Sequence, residues 1–197
     1  YLEAVSCLCR KNGAFLIIDE VQTGFCRTGP MFASGGLDLK IDFLTMAKGI
    51  AGGFPFGAFA MTEEISHKLE RGDHGGTYCG NPLGCAVAYA VIRFLIDNDI
   101  SANVKKAETM ILNELAQWQQ DYPGIIKSAR GRGLLLAFTV SGSETADAIF
   151  KECIKRGLFV NITQGNVIRI FPALNITAGE IEEGMSILKQ ALETVQS

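Results

Sequence analysis

Two apolar runs constrain this chain most, because each ends in one charged residue where a strand would stop. The first is Ala14–Ile18, AFLII, followed by Asp19 and Glu20. The second lies within Ile41–Lys48: its core, Phe43–Ala47, is apolar but for one Thr, and Lys48 closes it. Neither run holds a turn residue. Such runs are predicted to be short buried strands, and the first reads as buried on both faces, the mark of a parallel sheet. A helix precedes it: residues 1–11 put Leu2, Val5, Leu8 and Cys9 on one face, and Asn12-Gly13 ends the helix with a left-handed cap. The helix–strand order suggests parallel strands, so Asp19 and Lys48 are expected to emerge at the same sheet edge. In open α/β sheets, ligands bind just beyond the carboxyl ends of the strands. A lysine in such a crevice is partly desolvated, which lowers its pKa and frees the amine as a nucleophile toward carbonyls. The same two residues also read as a simple ion pair, and a lone strand-end lysine as a solvated one.

Beyond Lys48 come Gly49, Gly52, Gly53 and Pro55, then a third strand over Ala58–Met61. Between the first two strands, Phe25 to Leu39 has no period and reads as a loop, long enough to suggest function. Thr62 is the predicted N-cap of a helix that starts at Glu63 and ends near Arg71-Gly72. A second glycine-rich turn, DHGGTYCGNP (Asp73–Pro82), carries Thr77 and Asn81 and opens a helix from Leu83 to about Ile96. Leu83, Val87, Val91, Phe94 and Leu95 are its predicted core face. Backbone N–H groups and the Thr77 hydroxyl make that turn a candidate phosphate site, and an ordinary loop is the alternative. It has no P-loop pattern, and no GxGxxG follows a strand.

Composition shifts near Asp97-Asn98-Asp99, which places a domain boundary there: residues 1–100, then 101–197. In the second part, Ser101 is the predicted cap of a helix over Ala102–Tyr122. A short strand at Ile125–Ser128, a basic turn at Ala129–Gly133, a strand over Leu134–Val140 and a helix over Thr145–Arg156 follow. Strands at Leu158–Ile162 and Val167–Phe171, with a turn through Gln164-Gly165-Asn166, lead to a last helix from Thr177 to about Val195. This is the pattern of a small α+β sandwich. Arg169 interrupts the apolar strand VIRIF. A buried guanidinium needs a carboxylate or several acceptors, whereas an outward-facing one on a half-exposed strand does not.

The bulk numbers exclude several classes. A net charge of −3 gives no electrostatic reason to expect nucleic acid or an anionic membrane. The apolar stretches are too short to span a bilayer. Six cysteines and two histidines fit no metal-ligand spacing, so no metal site is expected. The cysteines read as reduced thiols in a cytosol-like compartment, with disulfides as the alternative. The chain opens at Tyr1 in a helical pattern, with no signal sequence, and reads as a cut in a longer protein.

Taken together, LIIDEVQTG (Leu16–Gly24), FLTMAKGIAGGFPFGA (Phe43–Ala58) and HGGTYCGNPLGCAVA (His74–Ala88) resemble the class III, or omega-type, aminotransferases. RGRGLLLAF (Arg130–Phe138) and NVIRIFPALNIT (Asn166–Thr177) resemble the C-terminal domain of their acetylornithine and ornithine branch. The resemblance covers essentially the whole chain, in order. It implies a fold-type I, pyridoxal 5′-phosphate-dependent enzyme: residues 1–100 as the C-terminal portion of the large, mostly parallel α/β cofactor domain, and 101–197 as the small α+β domain. It implies that Lys48 bonds to the cofactor aldehyde and moves the substrate proton, and that Asp19 keeps the pyridine nitrogen protonated. Gln22 matches the partner of the cofactor's 3′-oxygen. Thr77 matches a threonine that reaches the phosphate in the neighbouring subunit, which implies a homodimer with shared active sites. Arg169 matches the arginine that handles a substrate carboxylate.

The resemblance also implies what lies upstream of Tyr1: the loop that cups the phosphate, the aromatic that stacks on the pyridine ring, a first substrate arginine and the acid that pairs with Arg169. Cys26 stands where relatives often have glycine. The leading expectation is therefore a cytoplasmic aminotransferase that moves the amino group of N-acetylornithine, or a similar ω-amino acid, to 2-oxoglutarate. The alternatives are a 4-aminobutyrate transaminase or related enzyme on the same scaffold, and a catalytically silent folding or dimerisation unit. These 197 residues alone are expected to bind the cofactor weakly.

Overall fold

The structure is a computed structural model and describes residues 1–196. The chain divides into two compact units, Tyr1–Asp99 and a second that begins at Ile100.

The first unit opens with helix α1 (Leu2–Lys11). Gly13, at φ +65°, lets the chain turn out of it. The inward side of α1 carries Leu2, Val5 and Cys9 of the predicted face, each half-buried, with Ser6 fully buried among them; Leu8 departs from the prediction and is 58% exposed. The Ser6 hydroxyl accepts a bond from the Lys40 backbone N–H at 3.1 Å, which ties the helix to the approach of the second strand. Strands β1 (Ile17–Asp19), β2 (Phe43–Met46) and β3 (Ala58–Met61) form one sheet in that order. β1 pairs with β2 in parallel, as expected, and β2 with β3 antiparallel. Asp42 fixes the start of β2 against β1: its buried carboxylate accepts the Leu16 N–H at 2.7 Å.

Burial on both faces is not found. Phe15 and Ile17 are more than half exposed, and β2 is half-buried along its length. The reason is architectural. β1 is an edge strand of a three-stranded sheet, and this unit has too few helices to cover both faces. Helix α2 (Glu63–Ser66) is also shorter than its sequence suggests. Thr62 makes no side-chain cap bond, and the Ser66 hydroxyl donates back to the Glu63 carbonyl at 2.8 Å, an alternative to continuing the helix.

Helix α3 (Pro82–Asp97) starts where predicted, with Pro82 in its first turn and the Asn81 side chain accepting the Gly84 N–H at 3.0 Å. Its buried residues are Gly84, Ala88 and Leu95, whereas Leu83 and Phe94 are exposed. Small residues set this face because the helix comes very close to Phe56: a Cβ on Gly84 would lie 2.6 Å from the Phe56 ring.

The second unit is built from α4 (Ile100–Asp121), β4 (Ile126–Arg132), β5 (Leu135–Val140), α5 (Ser143–Lys155), β6 (Asn161–Thr163), β7 (Val167–Ile170) and α6 (Ala178–Gln196). The four strands form an antiparallel sheet in the order β4-β5-β7-β6. Val104, Ile111, Leu115 and Trp118 of α4, Ile149 of α5 and Leu188 and Leu192 of α6 are buried, as are Leu136, Phe138 and Ile168 of the sheet. Alternate residues of β5 are buried, the period of a sheet with one face on helices.

Three boundaries in this unit differ from the sequence reading in ways that change a residue's role, and its others shift by one or two residues. α4 begins at Ile100, so Ser101 lies within the helix rather than capping it. Arg130-Gly131-Arg132 is not a turn but the end of β4, paired across to Leu135. Gly131 permits this: at φ +136°, a Cβ there would meet the Leu135 carbonyl oxygen at 2.2 Å. β6 keeps only Asn161–Thr163 of the predicted strand.

Candidate functional site

The carboxyl edge of the β1–β2 pair brings two of the predicted residues together. Asp19 is the last residue of β1 and lies opposite Thr45 in β2. Lys48 follows the end of β2 and opens a single 3₁₀ turn, Lys48–Ala51. Parallel pairing therefore puts carboxylate and amine at the same edge. Among the described residues they form no ion pair, so that simpler reading of the two does not apply.

Asp19 is held in place. Its Oδ1 accepts the Val21 backbone N–H at 2.9 Å and the Thr45 hydroxyl at 3.2 Å. Both bonds fall on one oxygen, which leaves Oδ2 available to a ligand. Lys48 is exposed in this chain rather than partly desolvated, because no described residue is laid over the strand end. Its backbone is unusual: φ is +49°, the left-handed region that non-glycine residues seldom adopt. The glycine after it is needed for space. A Cβ on Gly49 would come within 3.2 Å of the Phe25 Cβ.

Phe25 and Cys26 are also left-handed, at φ +55° and +67°, and both are buried. Burial pushes the Cys26 thiol up, and the Asp99 carboxylate adds to the effect. The loop that carries these residues is fastened by Glu20, which sequence reasoning did not single out. Glu20 is 1% exposed. Its Oε2 accepts the Thr23 hydroxyl and the Ala33 N–H at 3.1 Å, and its Oε1 accepts the Ser34 N–H and hydroxyl, both at 2.7 Å. Burial alone would raise this carboxyl. The bonds from Thr23, Ser34 and Ala33 outweigh burial and hold it below the ordinary glutamate value. A signal was available: adjacent strand residues point to opposite sides, so with Asp19 at the open edge, Glu20 had to turn inward and find donors.

Gln22 is half-buried in the turn after β1. Thr77 is exposed in the loop before α3, away from regular structure. That loop leans on the sheet through His74, whose ring meets Phe59 of β3 edge-on at 5.0 Å. Arg169 belongs to the second unit. It sits on β7 between Ala137 of β5 and Asn161 of β6, half-buried, with its guanidinium 5.9 Å from the centre of the Phe171 ring. Among the described residues it makes no ion pair with a carboxylate. No cluster of potential metal ligands occurs among the described residues. All six cysteines are free thiols.

A lysine and an aspartate thus share the carboxyl edge of parallel strands, and an antiparallel α+β unit follows in the chain. The chain belongs to the aminotransferase class-III family, whose sequence profile matches residues 1–192. It is 42% identical to the acetylornithine aminotransferase of Vibrio cholerae, covering 99% of this chain and 49% of that protein. With the mitochondrial acetylornithine aminotransferase of Neurospora crassa it shares 37% identity over 99% of this chain and 42% of the relative. Its fold matches the crystal structure of acetylornithine aminotransferase from Elizabethkingia anophelis with a TM-score of 0.90 at 31% identity, over 98% of this chain and 49% of that one. It matches the ornithine aminotransferase of Toxoplasma gondii with a TM-score of 0.92 at 30% identity, over 100% of this chain and 47% of that one. The fold is thus that of the fold-type I aminotransferases. The chain spans about half the length of the curated relatives it matches.

Proposed function

We propose that this chain is the lysine-bearing half of a pyridoxal 5′-phosphate-dependent aminotransferase that moves the terminal amino group of N-acetylornithine, or a similar ω-amino acid, to 2-oxoglutarate. The observation that carries this reading is the shared edge of Asp19 and Lys48 on parallel strands, within a chain of class-III sequence. Relatives named for acetylornithine support the donor, and one solved neighbour, an ornithine aminotransferase from Toxoplasma gondii, is described with PLP at its active site.

The residues present fit the cofactor. Asp19 is an anchored carboxylate with an unoccupied Oδ2, suited to a protonated ring nitrogen, and Lys48 is an amine without a partner among the described residues, suited to an aldehyde. When bound, pyridoxal phosphate supplies an aldehyde for amines and a ring that withdraws electrons from the reacting carbon. The chain's own residues supply the rest. Asp19 holds the proton on the pyridine nitrogen. Lys48 Nζ takes the proton from the amine-bearing carbon of the substrate, which requires it uncharged at that moment. Gln22, through its amide, and Thr77, through its hydroxyl and from a partner subunit, would hold the group at its 3′-oxygen and its phosphate. Arg169 takes the carboxylate of the oxo acid or amino acid through a two-pronged hydrogen bond.

We place residues 1–100 in the large cofactor domain and the remainder in the small domain, and we assign the whole protein a homodimer. Exposed Tyr78, Leu83, Tyr89 and Phe94 on and before α3 support such an interface. We assign a cytosol-like compartment, which six free thiols support; some relatives are mitochondrial by name. No helix among the described residues is long and apolar enough to cross a membrane. The test is amine transfer by the full-length protein: N-acetylornithine and 2-oxoglutarate should yield glutamate and the aldehyde only when pyridoxal phosphate is present. Glutamate formation from 4-aminobutyrate but not from N-acetylornithine would move the assignment to the neighbouring specificity.

A further inference from the structure

We propose that Glu20 is a positioning residue for Lys48, acting through the 23–34 loop and Phe25. The proposal rests on the reading that Lys48 is the cofactor-bearing amine.

Glu20 reaches both sides of the site. Its backbone N–H donates at 3.0 Å to the carbonyl of Thr45, the same threonine whose hydroxyl holds Asp19. Its carbonyl accepts the Gly24 N–H at 2.9 Å, which starts the loop. Its carboxylate then binds the far end of that loop at Ala33 and Ser34, and the near end at Thr23. One buried side chain therefore closes the loop on itself. Inside the closed loop, Phe25 is pressed edge-on against Phe32, with ring centres 5.5 Å apart, and its Cβ sits 3.2 Å from where a Cβ on Gly49 would lie, so it walls the outer side of that glycine.

Three non-glycine residues with positive φ meet here: Phe25, Cys26 and Lys48. Such backbone persists only where its surroundings over-determine it. For Phe25 and Cys26, the surroundings are the Glu20 bonds at both ends of the loop. For Lys48, the buttress is Phe25 against the next residue. Loosening Glu20 releases the loop, withdraws the buttress and lets the Lys48 turn relax toward ordinary φ. The amine then points elsewhere, and a misplacement on the order of 1 Å costs up to about a hundredfold in rate.

The experiment uses the full-length protein with pyridoxal phosphate, comparing wild type, Glu20→Gln and Ser34→Ala. Glu20→Gln keeps the size but turns one oxygen into a donor that must face the Ala33 or Ser34 backbone N–H. Ser34→Ala removes a single hydroxyl bond and leaves the fold. Two quantities are read. One is amide exchange at Gly49–Ala51 in protein free of cofactor. The other is the rate, per bound cofactor, at which saturating N-acetylornithine bleaches the visible cofactor band.

Both variants should speed exchange at Gly49–Ala51. Glu20→Gln should slow bleaching about tenfold, and Ser34→Ala about threefold, with the half-saturating substrate concentration within about threefold of wild type. If Glu20→Gln fails to fold, Ser34→Ala decides by the same two readings. The proposal is overturned if exchange at Gly49–Ala51 or the rate per bound cofactor is unchanged in every folded variant. Lower cofactor content with an unchanged rate would mark Glu20 as structural only. A wild-type protein with no visible band would instead overturn the cofactor reading, and this proposal with it.

Discussion

The Thr45 hydroxyl donates to the Asp19 carboxylate at 3.2 Å across the parallel β1–β2 pair. This bond, with the one from the Val21 N–H, commits Oδ1 and fixes the direction of Oδ2. A strand neighbour thus decides which way the free carboxylate oxygen points.

Removing that hydroxyl should loosen the carboxylate without changing its charge. Thr45→Val in the full-length protein should weaken pyridoxal phosphate binding about threefold to tenfold, the scale of one ordinary hydrogen bond, about 0.5–1.5 kcal/mol, at an exposed site. Equilibrium titration of cofactor absorbance measures this directly. Unchanged affinity would mean that Asp19 needs no orienting partner.

The hairpin between β4 and β5 should be intolerant of a single methyl group. Gly131→Ala places a Cβ 2.2 Å from the Leu135 oxygen at a φ of +136°. A cost of about 3 kcal/mol follows from steric overlap and backbone strain together. Gly124 has open space around its would-be Cβ and no positive φ, so Gly124→Ala should fall within about 0.5 kcal/mol of wild type. Thermal unfolding of the two variants compares the sites.

Acid stability should report on Glu20. Its folded pKa lies below the ordinary value of 4.5. The unfolded state therefore binds the proton more readily, and the contribution is fully present above 4.5. It is lost as pH falls through the lower, folded value. Glu20→Gln should flatten this part of the stability curve as pH falls below 4.5. Urea unfolding at a series of pH values shows whether the acid limb becomes shallower. An identical limb in the variant would contradict the network described around Glu20.

Much of this architecture was legible in the sequence, and the exceptions have physical causes. Alternation and apolar runs located β2, β3, β5 and β7, and Pro82 with Asn81 located the start of α3. The parallel β1–β2 pairing followed from helix–strand order, and with it the common edge of Asp19 and Lys48. Burial was not legible. Phe15, Ile17 and Leu83 look like core residues, but side-chain type cannot tell which layer is present to cover them. Arg130 and Arg132 read as a basic turn because Gly131 is usually a turn residue, whereas here it lets β4 approach the Leu135 carbonyl. Glu20 was overlooked because its partners, Ala33 and Ser34, are distant in sequence and two of its four donors are backbone N–H groups, which every residue type but proline carries.

Thiol reactivity should separate two cysteines from the rest. Burial pushes Cys153 up to about 11 and Cys26 in the same direction. Both side chains are enclosed, so neither thiolate nor access is available at neutral pH. Iodoacetamide at pH 7.5, followed by peptide mass spectrometry, should leave Cys26 and Cys153 unmodified in native protein and modify both in denaturant. Native labelling of Cys26 would show that the loop closed by Glu20 opens readily.

The central claim is that Lys48 is the amine that bears pyridoxal phosphate. Its most direct test is the visible absorbance of the purified full-length protein with pyridoxal phosphate, followed by borohydride reduction and mapping of the labelled peptide, for wild type and Lys48→Ala. The account predicts a visible band in wild type, its loss on reduction, a stable adduct on Lys48, and neither band nor adduct in the variant. A band that survives in Lys48→Ala, or an adduct mapped to another lysine, would contradict it.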